Sequence, residues 1–154
     1  MNALVPKDHH RILLVDDEPD ILESLQELLE AAIPGSEVTV AESGEAALEH
    51  LRKGSFHVLV SDYKMPGMNG MELLREARRV APATPRVLMT AFPDLQIAIE
   101  AINDARIENF FTKPLDPEEV VEVLDAMLKH RRASLHRDRA FARAMDMARK
   151  GDDA

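Results

Sequence analysis

Apolar residues follow two alternating patterns along this chain, and each pattern predicts a different kind of element. Five short runs are apolar at most positions and end on polar or turn residues. Such runs are typical of strands that are covered on both faces of a parallel sheet. The predicted strands span residues 11–15, 38–41, 58–62, 86–90 and 107–112.

Between these runs, apolar residues recur three or four positions apart, as they do on one face of an α-helix. Ser43 and Asp116 are good N-caps, and Pro19 and Pro117 suit the first turn of a helix. The predicted helices span residues 19–33, 44–53, 70–81, 94–105 and 117 onwards.

This regular alternation of strands and helices predicts the fold class. Strands separated by single helices form parallel sheets with right-handed crossovers. We therefore predict an α/β fold with a flavodoxin-like, doubly wound, five-stranded parallel sheet in the order 2-1-3-4-5. Five helices would flank the sheet, and a helical extension would follow at the C-terminus.

The two ends of the chain differ from the middle. Residues 1–9 are predicted to be a disordered leader, and residues 10–130 the folded domain. Residues 129–154 hold eight basic and four acidic residues, whereas residues 1–128 hold 11 basic and 24 acidic residues. We predict a basic helical tail or linker over residues 131–154. A solvated helix is favoured because polar residues interrupt its heptads, and a helix that docks on a partner or pairs in a dimer is the alternative.

Composition narrows the functional classes. The 154-residue chain is 45% hydrophobic and 31% charged, which is ordinary for one soluble domain. It has no cysteine, which excludes disulfides and thiolate chemistry, and its 4% aromatic content disfavours a base-stacking surface. No apolar stretch has the length of a membrane span, and we see no signal peptide. We therefore expect a cytoplasmic protein without a membrane partner.

Side chains that can bind a metal ion or a phosphoryl group lie at the ends of four of the predicted strands. Asp16 and Asp17 follow the first strand, Asp62 ends the third, Thr90 ends the fourth, and Lys113 follows the fifth. In a doubly wound sheet of this order, ligands bind beyond the carboxyl ends of the strands, where strands one and three are neighbours. We therefore expect the three carboxylates to converge in one crevice, with Lys113 close to them.

This set of side chains suits a metal ion and a phosphoryl group. Three carboxylates in one crevice raise one another's pKa unless a cation lies between them. Ligands that are all oxygen favour a hard cation, and Mg²⁺ binds through one or two carboxylates while it keeps several waters. A carboxylate beside such a metal can attack phosphorus and form an aspartyl phosphate. Lys113 would neutralise charge on the transferring group, and Thr90 would bind one of its oxygens.

Taken together, these motifs resemble the receiver domain of bacterial two-component response regulators. Each motif is common by itself, but four of them in the expected order, each at a strand end, are specific. The resemblance covers residues 10–128. It rests on Asp16-Asp17, on the loop Asp62-Tyr63-Lys64-Met65-Pro66-Gly67-Met68-Asn69-Gly70, on Thr90-Ala91 and on Lys113-Pro114.

The resemblance implies roles at the metal site. Asp62 would accept a phosphoryl group from a phosphohistidine. Asp16, Asp17 and Asp62 would hold Mg²⁺, and the backbone carbonyl of Lys64 would complete the protein ligands. The Lys64 side chain, two residues after the acceptor, would tune hydrolysis of the phosphate in one direction or the other.

The resemblance also implies a switch. Thr90 and Lys113 would contact the phosphoryl group, and Thr90 would couple to the aromatic residue three positions before the lysine, here Phe110. Family members more often have tyrosine at this position. Since Phe110 lacks the hydroxyl, packing alone would drive its inward rotation.

The implied function is a phosphorylation-activated switch, with only self-phosphorylation and autodephosphorylation as chemistry. The phosphodonor would be a sensor histidine kinase or a histidine phosphotransfer protein. The output face would consist of helix four, strand five and helix five, about residues 94–128, and would contact a downstream protein, an attached output domain or a second copy of the chain. The C-terminal helix is another possible dimer contact. Direct DNA binding is not expected, because the chain is acidic and lacks a helix-turn-helix pattern.

Simpler interpretations of the same residues stay open. Asp16 and Asp17 could cap the first helix, and Asp62 could be a turn residue. Lys113 could be a solvated lysine, and Phe110 could be ordinary core.

A different functional class is a Mg²⁺-dependent phosphatase for small phosphate esters, with Asp62 as its nucleophile. Enzymes of the haloacid dehalogenase type place a second aspartate two residues after the nucleophile. Here that position is Lys64, and the chain is too short for a substrate-covering cap, so this alternative is disfavoured.

Overall fold

The computed structural model describes residues 9–91, 94–130, 144–146 and 148. Within them, strands and helices alternate as the hydrophobic pattern predicts. The strands are β1 (His10–Val15), β2 (Ser36–Ala41), β3 (Val58–Asp62), β4 (Arg86–Thr90) and β5 (Asn109–Thr112). The helices are α1 (Pro19–Ala32), α2 (Gly44–Lys53), α3 (Gly70–Val80), α4 (Leu95–Asn103) and α5 (Pro117–His130).

The five strands form one parallel sheet in the order β2-β1-β3-β4-β5. The predicted flavodoxin-like order is therefore confirmed, with β1 and β3 as central neighbours. In the register of the sheet, Val15 pairs with Ser61, and Thr90 pairs with Thr112. The carboxyl ends of these strands consequently lie along the same edge of the sheet.

Helices cover both faces of the sheet, which explains why successive strand residues are apolar. On one face, α1 and α5 bury Leu29 and Leu124 against strand residues such as Phe111. On the other face, α2, α3 and α4 pack against the opposite strand positions, with Leu48 and Leu74 in the core. Full burial of one such side chain contributes about 1.5–3 kcal/mol.

Local capping sets where several helices begin. The Ser43 hydroxyl accepts a hydrogen bond from the Ala46 amide (3.1 Å), as its N-cap assignment predicts. At the start of α3, Asn69 and Glu72 each accept a hydrogen bond from the other's backbone amide, which is a capping box. Pro19 lies in the first turn of α1, as predicted. These three helices therefore begin at a defined distance from the preceding strand.

The fifth strand is shorter than the sequence pattern predicts. It begins at Asn109 rather than at Ile107. The preceding Arg106 has a φ of 53°, and the Ile107 amide bonds to the Ala101 carbonyl of α4 (3.2 Å) rather than to β4. Ile107 is nevertheless fully buried, so its apolar character reflects the core and not strand pairing.

Most of both chain ends lies outside the described residues, namely residues 1–8 of the predicted leader and all of the tail except 144–146 and 148. These four tail residues are helical, which agrees with the predicted extension. Ala144 is fully buried and belongs to the hydrophobic cluster on the α2–α3–α4 side of the sheet. This part of the tail is therefore not solvated on all sides. Among the described helices, none combines the length and the apolar character that a membrane crossing needs.

Candidate functional site

Polar side chains gather at the carboxyl edge of the sheet, where the sequence predicts them. Asp16 directly follows β1, Asp62 is the last residue of β3, Thr90 is the last residue of β4, and Lys113 follows β5. Because β1, β3 and β4 are consecutive neighbours in the sheet, their ends lie side by side. The parallel topology thus assembles the site from segments almost 100 residues apart in sequence, since Asp16 and Lys113 are separated by 97 positions.

The three carboxylates form one cluster at this edge. One oxygen from each of Asp16, Asp17 and Asp62 lies within 4.8 Å of the other two. Asp16 is fully buried, Asp62 is 6% exposed, and Asp17 reaches the solvent. A set of oxygen ligands that is partly open to water fits Mg²⁺, which retains water ligands when proteins bind it.

Lys113 lies between two of these carboxylates. Its Nζ is 2.8 Å from Asp16 Oδ2 and 3.3 Å from Asp62 Oδ1. Burial alone would lower the pKa of Lys113, but the hydrogen bond to Asp16 and the two negative charges outweigh it and raise that pKa. Lys113 therefore carries a positive charge at neutral pH, and it is not the solvated lysine of the simpler interpretation.

The pKa of Asp62 is raised above its usual value. Burial is the largest cause, the negative charge of Asp16 adds to it, and Lys113 offsets these effects only in part. The ionised form of Asp62 is consequently disfavoured by its surroundings, and an additional cation beside it would relieve that cost.

The backbone after β1 holds Asp16 in place. Its Oδ1 accepts a hydrogen bond from the Glu18 amide (3.0 Å), and its own amide donates to the Ala41 carbonyl of β2 (3.2 Å). The N-cap of α1 is Glu18, whose side chain makes no capping hydrogen bond. Asp16 therefore organises the turn before α1 and at the same time points one oxygen at Lys113.

The loop after β3 is held tightly against Asp62. The Gly70 amide donates to the Tyr63 carbonyl (2.7 Å), and a Cβ on Gly70 would clash with the Asp62 carbonyl oxygen. Within the same loop, Lys64 is exposed, while Met68 packs over Gly44 at the start of α2. The ligand role of the Lys64 carbonyl stays a prediction.

The predicted switch residues occupy buried positions. Thr90 is 1% exposed, and its carbonyl accepts a hydrogen bond from the Lys113 amide (2.8 Å). Phe110 is 2% exposed and lies in the same hydrophobic cluster as Leu88 and Ala101. Phe110 is therefore already packed inward, as the ordinary-core interpretation expects, and its movement upon phosphorylation stays a prediction.

A groove of about 1200 Å³ opens beside the carboxylates. Its floor is apolar, and acidic residues of the β1–α1 turn and of α1 form part of its rim. The lining residues are Asp17, Glu18, Asp20, Ile21, Ser24, Leu25, Leu28, Asp62, Lys64, Met65, Pro66, Ala91, Lys113, Pro114, Leu115 and Pro117. The candidate nucleophile, Asp62, is thus one of the residues that line this groove.

Sequence reasoning missed three features of this site. The groove depends on how α1 and the β5–α5 loop sit together, and no local pattern reports that. The contact of Gly70 with the Asp62 backbone likewise depends on tertiary structure. The capping box could have been found, because an Asn followed three positions later by a Glu before an apolar run is its signature.

Comparisons with known proteins agree with this geometry. A sequence model of the response regulator receiver domain matches residues 12–125. A response regulator receiver protein of Anaeromyxobacter sp. (strain Fw109-5) is 38% identical over 115 residues, which are 75% of this chain and 46% of that protein. The transcriptional regulatory protein ZraR of Escherichia coli (strain K12) is 34% identical over 123 residues, 80% of this chain and 27% of ZraR.

Solved structures show the same fold. The signal receiver domain of an HD domain-containing protein from Pseudomonas fluorescens Pf-5 aligns with a TM-score of 0.74 and 33% identity, covering 79% of this chain and 96% of that one. A CheY-like receiver domain protein from Methanospirillum hungatei JF-1 aligns with a TM-score of 0.73 and 30% identity, covering 78% and 94%.

The matches cover a domain of the sequence relatives and not their full length. This chain spans less than half the length of the sequence relatives named above, whereas it covers nearly all of the two solved receiver domains. The matched segment contains Asp16, Asp17, Asp62, Thr90 and Lys113. On its sequence, its sheet order and the arrangement of these side chains, the chain belongs to the response regulator receiver domain family.

Proposed function

We propose that this chain is a phosphorylation-activated switch in which Asp62 accepts a phosphoryl group with the help of Mg²⁺. The observation that carries the proposal is the clustering of Asp16, Asp17 and Asp62 around one point, with Lys113 Nζ 3.3 Å from Asp62. The family match supports the same conclusion, because receiver domains are signalling switches.

The chemical step is a transfer between nitrogen and oxygen. A carboxylate oxygen of Asp62 attacks phosphorus and forms an O–P bond, while the P–N bond to a histidine of the donor breaks. The bonding electron pair leaves with the imidazole nitrogen, which takes up a proton. Lys113 stabilises the negative charge of the phosphoryl oxygens, and Thr90 binds one of them through its hydroxyl.

Three residues would hold the metal for this step. Asp16, Asp17 and Asp62 supply side-chain oxygens, and the Lys64 carbonyl completes the set. When bound, Mg²⁺ supplies positive charge that neutralises the transferring group. In the resting chain, the same charge would lower the pKa of Asp62 and keep its nucleophilic oxygens ionised.

The groove beside Asp62 suggests where the phosphodonor binds. A donor histidine must approach along the exposed side of the site, which is bordered by apolar residues of α1 and by the acidic side chains of Glu18 and Asp20. We assign this groove to a sensor histidine kinase or a histidine phosphotransfer protein that presents an apolar surface with basic residues at its edge.

The output of the switch would lie at the edge of the sheet that β5 forms. The face formed by α4, β5 and α5 would contact a downstream protein, an attached output domain or a second copy of the chain. ZraR is a transcriptional regulator, but the acidic receiver segment of this chain would not itself contact DNA. A cytoplasmic location would bring the chain together with the kinase.

The phosphatase alternative gains no support from the family match. A phosphatase would turn over phosphate esters repeatedly, whereas the switch would hold one phosphoryl group per chain. The two functions therefore differ in how many molecules of a small phosphodonor each chain consumes.

Intact-mass measurement after incubation with acetyl phosphate and Mg²⁺ tests the proposal. We expect one added phosphoryl group in the wild type, none in Asp62→Asn, and none when Mg²⁺ is removed with a chelator. Asp20→Asn is the matched control, because it neutralises another groove carboxylate outside the cluster. It should be phosphorylated like the wild type.

Two results would reject the proposal. One is an equal adduct in Asp62→Asn, which would place the phosphoryl group elsewhere. The other is steady hydrolysis of a phosphate ester by the wild type over many turnovers, which would favour the phosphatase.

A further inference from the structure

Helix α4 carries three apolar side chains that are partly exposed. Leu95 is 36% exposed, and Ile99 and Ile102 are partly exposed. These residues are four and three positions apart, so they lie along one side of the helix. Ile102 also packs against the hydrophobic cluster on the α2–α3–α4 side of the sheet.

The C-terminal segment, defined as Ala144–Asp146 and Ala148, meets the domain on the side of the sheet that carries α4. Ala144 has no exposed surface, although it lies 14 positions beyond the end of α5. It belongs to the hydrophobic cluster that contains Ala98 and Ala101 of α4. The adjacent Met145 is 42% exposed, so the segment buries one side and leaves the other in solvent.

Ala144 and helix α5 are buried on opposite faces of the sheet. Helix α5 packs with α1 on one face through Leu124 and Leu128, whereas Ala144 joins the cluster on the other face. The segment is consequently not a further turn of the α5 packing surface. It makes a separate contact, and the net charge of +4 on residues 129–154 complements the acidic domain.

We propose that the C-terminal segment is an intramolecular ligand of the α4 side of the domain and that phosphorylation of Asp62 releases it. The release rests on the proposed function, whereas the docking does not. Burial of a single alanine methyl is worth only about 0.8 kcal/mol, so a modest rearrangement of the α4 side is sufficient to reverse the contact.

Two neighbouring strands connect Asp62 with the docked segment. Asp62 in β3 pairs with Met89 in β4, and Leu88 in β4 pairs with Phe110 in β5. Leu88 and Phe110 belong to the same cluster as Ala144. A rearrangement of β4 and β5 upon phosphorylation would therefore disturb the cluster into which Ala144 packs. Because coupling is reciprocal, undocking must favour the phosphorylated form by the same factor.

Hydrogen–deuterium exchange on the full chain tests both parts of the inference. Beryllofluoride with Mg²⁺ serves as the phosphoryl probe, and ¹⁹F NMR reports whether it is bound. With Mg²⁺ alone, we expect amides of residues 144–148 and of α4 to be protected. With bound beryllofluoride, we expect exchange at residues 144–148 to rise about fivefold, which is within the usual range of allosteric coupling.

A matched pair of variants tests the reciprocal effect. Ala144→Glu puts a charge at the fully buried position, whereas Met145→Glu puts the same charge at the exposed neighbour. We expect Ala144→Glu to lose protection at residues 144–148 and to bind beryllofluoride about fivefold more tightly than the wild type. Met145→Glu should match the wild type within about twofold.

Several outcomes would overturn the inference. Unprotected amides at residues 144–148 in Mg²⁺ would reject the docking. Bound beryllofluoride with unchanged exchange there would reject the release. Protection that grows with protein concentration would assign the α4 side to a second copy and reject an intramolecular ligand.

Failure of the proposed function would look different. The wild type, like Asp62→Asn, would then show no bound beryllofluoride in the ¹⁹F spectrum, while exchange in Mg²⁺ alone would still decide the docking. If Ala144→Glu does not fold, the wild-type exchange experiment decides the release by itself.

Discussion

At the scale of single residues, surroundings rather than residue type decide what each charge does. Lys113 and Lys129 both form ion pairs with aspartates, yet the Lys113 side chain is 14% exposed and the Lys129 side chain is 61% exposed. Lys113 neutralises the fully buried Asp16, whereas Lys129 pairs with Asp125 one helical turn away. Loss of Lys113 would therefore leave a buried carboxylate without its cation, whereas the exposed pair contributes little.

We expect Lys113→Met to destabilise the chain strongly in the absence of metal. The substitution leaves Asp16 and Asp62 without their cation, and breaking a buried pair in this way costs about 3 kcal/mol. Urea unfolding with a chelator measures the loss, and added Mg²⁺ should recover part of it. Lys129→Met is the control and should cost less than about 0.5 kcal/mol. Equal losses in the two variants would contradict the role of Lys113 at the site.

At the scale of elements, the junction of β3 and α3 positions the candidate nucleophile. The capping box of Asn69 and Glu72 sets the start of α3, and the first helical residue, Gly70, touches the backbone of Asp62 and Tyr63. The helix and the strand end are thus locked together. Glycine at position 70 is required by this close approach and not by an unusual φ.

We expect Gly70→Ala to move the loop that carries Asp62. An added Cβ would lie 2.8 Å from the Tyr63 Cα and closer still to the Asp62 carbonyl oxygen, so rigid backbone must shift. Overpacking of this kind costs about 1–3 kcal/mol. Thermal unfolding measures the cost, and beryllofluoride affinity should fall with it.

Gly44→Ala is the matched control at the first residue of α2. There the added Cβ would lie 2.7 Å from the sulfur and 3.0 Å from the Cγ of Met68, which can rotate away, and 3.2 Å from its Cβ, which must shift slightly. The gain in helix propensity, about 1 kcal/mol, offsets the rearrangement. A loss at Gly44 as large as that at Gly70 would show that close backbone contact is not the reason for glycine at position 70.

At the scale of the whole molecule, the acidic domain places three carboxylates together at the candidate metal site. The domain is acidic overall, and its buried carboxylates meet at the end of the central strands. Because the folded state raises the pKa of Asp62, ionisation of Asp62 opposes folding. Stability from this group is full below its ordinary pKa near 3.8 and is lost as the pH rises through the higher folded value.

We therefore expect Asp62→Asn to stabilise the metal-free chain at neutral pH. The gain should be on the order of 1 kcal/mol, a usual size for one substitution, and should vanish below about pH 3.8, where Asp62 is protonated in both states. Urea unfolding at several pH values measures it. Mg²⁺ at ten times its Kd should stabilise the wild type by about 1.4 kcal/mol and shrink the difference. Asp20→Asn, at an exposed carboxylate, should show neither effect.

By itself, the sequence determined the parts of this protein that follow from local periodicity and local chemistry. Apolar runs separated by helical repeats specified five strands, five helices and a parallel sheet, and the prolines, Ser43 and Asp116 marked helix starts. Polar residues at strand ends then identified Asp16, Asp17, Asp62, Thr90 and Lys113, because a doubly wound topology leaves one edge where such ends meet.

Only the tertiary structure decided features that depend on surfaces meeting across the chain. The apolar pattern predicts a strand at Ile107, but the Ile107 amide bonds to α4. The prediction is wrong here because a buried residue outside a strand is apolar for the same reason as a residue within one. The pairing of Lys113 with both Asp16 and Asp62, the contact of Gly70 with Asp62, and the burial of Ala144 in the cluster on the α2–α3–α4 side join residues that are distant in sequence or depend on exact packing. Such contacts are set by the shapes of packed elements, and no local pattern of residues encodes those shapes.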